Sequence, residues 1–214
     1  MAIKYTSNEE RANYISHLFG LLMVLSASVY ITLDVAEEHV SILFFISMLL
    51  YALGAGSSYL ASAVYHHCPS KSIYREKFRK FDHAAIYWHI AGSYSPITLS
   101  AMSGMAGWGY VLFCTVWLCA LAGTLMSFRK LKEHSNLETV CFIGMGLLMI
   151  LAFDKVLYCI GWQSMVWIIA EGVAFITGAV FYSFNKVKYM HTVFHVFVLL
   201  GSFCHIMGLY YMFH

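Results

Sequence analysis

Charge is what this sequence has least of. Only 11% of its 214 residues are charged, while 60% are hydrophobic; soluble domains have about a quarter charged and about half apolar. That shortage excludes a water-soluble globular fold. It also leaves too little polar chain for a soluble appendage, so residues 1–214 read as one membrane domain. Cysteine pairing is missing as well. Cys68, Cys114, Cys119, Cys141, Cys159 and Cys204 are scattered with no C-x-x-C spacing, which indicates neither a disulfide framework nor a cysteine zinc site. Cys68 alone, directly after His66-His67, stands where a spare ligand would. No small-x-small cleavage site separates the first apolar run from the acidic Asp34-Val-Ala-Glu37-Glu38, so that run is expected to be an uncleaved span.

What is present is a series of apolar runs near the length of about 20 residues that a bilayer requires. They cover roughly 14–33, 40–65, 82–102, 108–126, 139–153, 162–182 and 191–213. The expectation is an all-α, polytopic bundle of seven transmembrane helices. The fifth run is interrupted by Asp154-Lys155; if its helix continues to about Cys159, those two form a local ion pair near an interface. Of the 13 lysines and arginines, 12 fall in the N-terminal segment and the second, fourth and sixth loops, leaving only Lys155 on the other side. Positive charge stays in short cytoplasmic loops, so the N-terminus is expected inside and His214 outside. The net charge of +2 is therefore a topology signal and gives no footing for nucleic acid.

Orientation places the scattered polar residues by depth. His191 and His195, four apart, share one helical face at the start of the last run. His66 ends the second run at the same level, with Ser62 one turn deeper, and Phe81-Asp82-His83 opens the third. Glu10, Asn13 and His17 form an i, i+3, i+7 stripe entering the membrane at that face. Polar residues towards the outer ends are sparser, which argues against a pore-forming cytolysin. His205 lies about 15 Å beyond His195 at 1.5 Å per residue, too far to share a metal, and is assigned to a helix-packing hydrogen bond or an outer polar pocket. Glu171 is expected to face the bundle because it would be costly against lipid. His39, His89, His134 and His214 read as loop or interface residues. The basic and aromatic stretch 72–81 suits the headgroup layer. Gly54 to Ser58 are small enough for close helix packing.

Neutral imidazole suits zinc, copper, iron and nickel, and three protein ligands plus water is the usual catalytic zinc arrangement. His66, His191 and His195 would supply the three nitrogens. Water in the fourth position would have its pKa lowered to about 7, with Asp82 placed to hydrogen-bond it. Ser62 would orient Asp82 or polarise a substrate carbonyl. His17 is a supporting residue or an interhelical hydrogen-bond partner.

The motifs Glu10-x-x-Asn13-x-x-x-His17, Ser62-x-x-x-His66, Phe81-Asp82-His83 and His191-x-x-x-His195 with the later His205 resemble those of the progestin and adipoQ receptor superfamily, specifically its bacterial hemolysin III-like branch. The resemblance runs in order over nearly the whole chain. It implies a seven-helix bundle with a zinc ion near the cytoplasmic face, held at positions matching His66, His191 and His195, with Asp82 near the bound water. It also implies a link to hydrolysis of ceramide-like lipid amides, to cytolytic activity or to control of membrane fluidity. The resulting expectation is a bacterial inner-membrane zinc hydrolase of lipid amides or esters, with membrane lipids as substrate or ligand. A membrane-state sensor in which zinc only staples helices is the alternative.

Overall fold

The computed structural model describes residues 5–36, 41–105, 107–129, 136–184 and 186–214. Among them there is no strand. The helices are α1 (Ser7–Ala36), α2 (Ile42–His67), α3 (Arg75–Ser95), α4 (Trp108–Phe128), α5 (Asn136–Gly146), α6 (Phe153–Ser183) and α7 (Met190–Phe213). A π turn at Pro96–Ala101 follows α3, and a 3₁₀ segment at Leu147–Ala152 joins α5 to α6. Neighbours in sequence pack side by side, and α1 also packs on α7, so the helices close into a ring.

Burial is arranged for lipid rather than water. Leu22, Leu33, Leu118 and Leu125 are about two-thirds exposed, whereas Asn13, His66, His195, Ser202 and His205 lie inside. An apolar exterior around a polar interior is stable only where the surroundings are themselves apolar. Five segments among the described residues are long and apolar enough to cross a membrane: Ser7–Ala36, Ile42–His67, Trp108–Phe128, Leu137–Ser183 and Met190–Phe213.

The expected third run is not among those five. Its helix carries Asp82, His83, His89, Ser93 and Ser95 and packs between α2 and α4, so protein rather than lipid covers most of it. The expected fifth and sixth runs merge into one 47-residue stretch. A straight helix of that length would be about 70 Å long, over twice the roughly 30 Å hydrocarbon core. It is not straight. Ala152 (φ −129°, ψ 28°) and Gly161 (φ 73°, ψ 169°) both leave helical geometry. Lys155 lies over the Trp108 ring, 4.4 Å from its centroid, rather than pairing with Asp154; the side chain is long enough to reach α4, and the cation is attracted to the ring face.

The α2/α3 contact positions the site. A Cβ on Gly54 would come within 2.3 Å of the Trp88 carbonyl oxygen, and one on Gly92 within 2.9 Å of that of Leu50. Backbone therefore meets backbone, as small residues permit in membranes. This holds the His66 end of α2 beside the start of α3.

Candidate metal centre

His66 lies in the last turn of α2, while His191 and His195 occupy the first turns of α7. Their Nε2 atoms converge: His191 is 3.2 Å from His66 and 3.0 Å from His195, and all three ligand atoms lie within 4.8 Å of one another. Nitrogens bound tetrahedrally at 2.0–2.1 Å are about 3.3 Å apart. The spacing thus fits three ligands on one ion. His66 and His195 are 3% and 2% exposed, and His191 is half-buried.

The outer nitrogens are held by the protein. His66 Nδ1 is 2.7 Å from Glu10 Oε2, and the other Glu10 oxygen accepts from Arg75, which also donates to the Cys68 carbonyl. A carboxylate on the far nitrogen fixes the ring tautomer and leaves the Nε2 lone pair towards the common centre. His195 Nδ1 is 3.4 Å from Ser16 Oγ. Tyr5 covers the site, its ring centroid 4.9 Å from that of His191 and 6.1 Å from that of His66. Burial pushes the Tyr5 phenol above its ordinary value, so this cover stays neutral.

The start of α7 is fixed by α1. Thr6 and Glu9 form a capping box: the Thr6 N–H donates to Glu9 Oε2 at 2.8 Å, and the Glu9 N–H donates to Thr6 Oγ1 at 3.3 Å. The other Glu9 oxygen accepts the Tyr189 N–H at 2.7 Å. Tyr189 has a left-handed backbone, φ 63°, and the helix bearing His191 begins at the next residue. One turn on, Thr192 Oγ1 donates to Asn13 Oδ1 at 2.6 Å.

Asp82 lies half-buried near the start of α3, against Ser62 and within electrostatic reach of His66 and His83. His83 is anchored in turn: its Nδ1 is 2.7 Å from Glu138 Oε2, and Ser127 donates to the other Glu138 oxygen at 2.7 Å. The sequence thus brought together His66, His191, His195, Asp82, Ser62 and Glu10. Asn13 lies at the edge on Thr192, and His17 abuts His195 with ring centroids 4.0 Å apart. A groove of about 460 Å³, lined by Glu10, Arg11, Tyr14, His66 and His67 among others, opens between α1 and α2.

Several expectations need correction or fall outside the description. Cys68 is buried, its thiol facing the Pro69 carbonyl at 3.8 Å, and it is not part of the histidine group. His89 is no interface residue. It is buried in α3, two helical turns from Asp82 on the same face. Polar side chains do not stop at one end, because Glu171 and His205 pair through Nδ1 at 2.8 Å deep in the bundle. His214 pairs with Asp34 at the opposite end, while His39 and His134 lie outside the described residues.

A family model described as Haemolysin-III related matches residues 5–206. The chain belongs to the haemolysin-III related family. It is 29% identical to Hemolysin-3 of Bacillus cereus over 198 residues, covering 91% of this chain and 87% of that one. It is 30% identical to a Hemolysin-3 homolog of Bacillus subtilis (strain 168) over 198 residues, with 92% and 91% covered. The human Monocyte to macrophage differentiation factor is 25% identical over 210 residues, with 94% and 83% covered. With its long apolar helices and this membership, the chain is a haemolysin-III related integral membrane protein whose buried histidine triad can hold a metal ion.

Glu9, Arg75 and Glu138 escaped the sequence reading. Thr6-x-x-Glu9 is a legible capping box. Arg75 belongs to a basic run that a headgroup layer explains, and Glu138 has no motif to mark it.

Proposed function

We propose that the metal is zinc and that the protein is a zinc-dependent hydrolase of lipid amides or esters serving membrane lipid and fluidity homeostasis. It would form one seven-helix domain over 1–214, in a bacterial inner membrane, with the histidine end cytoplasmic. The observation carrying this reading is the convergence of three Nε2 atoms, with His191 3.2 Å from His66 and 3.0 Å from His195. Three neutral imidazoles suit zinc, and a three-ligand set leaves a position open, unlike a closed structural site. When bound there, zinc supplies Lewis acidity for the attack of water on a carbonyl.

The chain's own residues supply the rest. Asp82 holds and accepts the proton of the attacking water, and Ser62 fixes the Asp82 carboxyl or hydrogen-bonds the carbonyl. Glu10 and Arg75 keep His66 in one tautomer. Tyr5 limits water access above His191. The groove beside His66 lets an acyl chain enter sideways from the lipid, which brings the scissile carbonyl to the headgroup-level site. Membrane lipids are thus the substrate class.

The test pairs two measurements. Wild-type protein in bilayers should release fatty acid from ceramides, phospholipids or lysolipids, and chelator should abolish this. Asp82→Asn preserves volume and should retain its zinc while turning over about a hundredfold or more slowly, the scale of a positioned general base. Absence of metal-dependent turnover in the wild type would end the hydrolase reading. The alternative, a non-enzymatic membrane-state sensor with structural zinc, draws on a different observation: the ligands come from two helices, His66 from α2 and His191 and His195 from α7, so an ion would tie those helix ends together. It predicts stability effects and no turnover.

A further inference from the structure

A second polar centre lies away from the histidine triad. Glu171 on α6 and His205 on α7, both buried, pair through Oε2 and Nδ1 at 2.8 Å, about 15 Å along α7 from His195. The other ring nitrogen, His205 Nε2, is buried with no hydrogen-bond partner among the described residues. The same holds for the Tyr51 hydroxyl on α2, whose ring lies 4.9 Å from that of His205. Two unpartnered polar atoms from different helices thus border one ion-paired couple. Buried polar groups are normally satisfied, and more strictly so where no water competes.

The centre is not isolated. Ser202, one turn before His205, receives the Tyr59 hydroxyl at 2.7 Å and lies 3.4 Å from His89 Nε2. Towards the opposite end, Ser164 lies two turns before Glu171 on the same face of α6, and its fully buried hydroxyl has no partner among the described residues. Imidazole, phenol, hydroxyl and carboxyl groups therefore follow one another along the bundle interior. The ionisable groups facing the couple are Tyr51 from α2, His89 and Tyr94 from α3, and Cys204 from α7. None of these is a lysine or arginine that would fix the charge by standing opposite the carboxylate.

We propose that Glu171 and His205 form a proton-binding site in the membrane interior, and that the line of side chains on either side passes protons through the bundle. His205 can take a proton at Nε2 and release the one at Nδ1 to Glu171, so a proton enters and leaves with nothing oxidised or reduced. An intramembrane carboxylate and imidazole are the groups that proton relays use, and the couple's two unpartnered neighbours are where an exchanging proton would arrive. The site is independent of the hydrolase reading, since it shares no residue with the triad.

The experiment uses the full chain in vesicles of phosphatidylethanolamine and phosphatidylglycerol enclosing a pH-sensitive dye, with a potassium diffusion potential set by valinomycin. Acidification should run several-fold faster than in protein-free vesicles and fall to the protein-free rate in Glu171→Gln and His205→Gln. A wild-type rate equal to that of empty vesicles, or a folded Glu171→Gln that conducts like wild type, overturns the proposal. If Glu171→Gln does not fold, dicyclohexylcarbodiimide on the wild type decides, because it modifies protonated carboxyls in apolar surroundings. Flux lost in proportion to Glu171 labelling, located by mass spectrometry, supports the proposal. Flux that persists with Glu171 labelled, or a Glu171 that resists labelling at every pH from acid to neutral, overturns it.

Discussion

Replacing Glu10 by glutamine separates a tuned metal site from an ordinary cluster of polar helix ends. Glu10 touches no metal position. It accepts from His66 Nδ1 at 2.7 Å and takes the Arg75 guanidinium on its other oxygen. Glutamine keeps the volume but removes the charge, and its amide can present the wrong group to Nδ1. Carboxylates behind metal-binding histidines contribute about tenfold to a hundredfold in affinity, equivalent to about 1.4–2.8 kcal/mol. The fold should survive, because Arg75 keeps its bonds to the Cys68 and Tyr65 carbonyls. The assay is zinc competition against a chromogenic chelator in detergent, with thermal stability followed in parallel. The expected outcome is a dissociation constant raised about tenfold or more, with Glu10→Ala at least as weak. If Glu10 only pins α1 to α3, stability falls while affinity stays within about twofold, and the account of Glu10 would be wrong.

Other expectations follow from the packing and the charge distribution. Gly54→Ala should destabilise the protein by about 1–3 kcal/mol, the typical cost of overpacking, because its Cβ meets the Trp88 carbonyl oxygen at 2.3 Å; a thermal midpoint equal to that of wild type would contradict the close α2/α3 approach. Glu9→Ala removes the capping partner of Thr6 and the acceptor for the Tyr189 N–H, so about 1 kcal/mol of stability should go, and amide exchange around Tyr189 should quicken; unchanged exchange there would refute the tether. Reporter fusions should place residues 71–80 and the N-terminus inside and His214 outside; a cytoplasmic C-terminus would invert the charge-based topology.

The sequence made the triad legible because its two signals are local: a four-residue spacing on one helix, and a shared depth read from loop charge. It could not reveal how the rings are held. His66 takes its partner from 56 residues away, His83 from 55, and the Tyr189 amide from 180; such pairings depend on how helices turn against one another, which composition does not encode. Which helices are apolar enough to span was legible only where they face lipid. α3 is hidden between α2 and α4 and can therefore carry Asp82, His89 and two serines, so although it was read as a run it is too polar to stand among the five long apolar segments. The division of 137–183 depends on backbone angles at Ala152 and Gly161, where only the glycine gave a local sign. His89 was misplaced although its spacing of seven from Asp82 puts both on one stripe. The Glu171–His205 pair was foreseen as two separate inward-facing residues, and only the α6/α7 packing joins them.

The most direct measurement is metal content. Protein purified in detergent without chelator and analysed by inductively coupled plasma mass spectrometry should contain about one zinc per chain, and His66→Ala, His191→Ala and His195→Ala should each lose most of it while remaining folded. Zinc-free wild-type protein that cannot be loaded, or full zinc retention in all three variants, would contradict the assignment of these histidines as a metal centre.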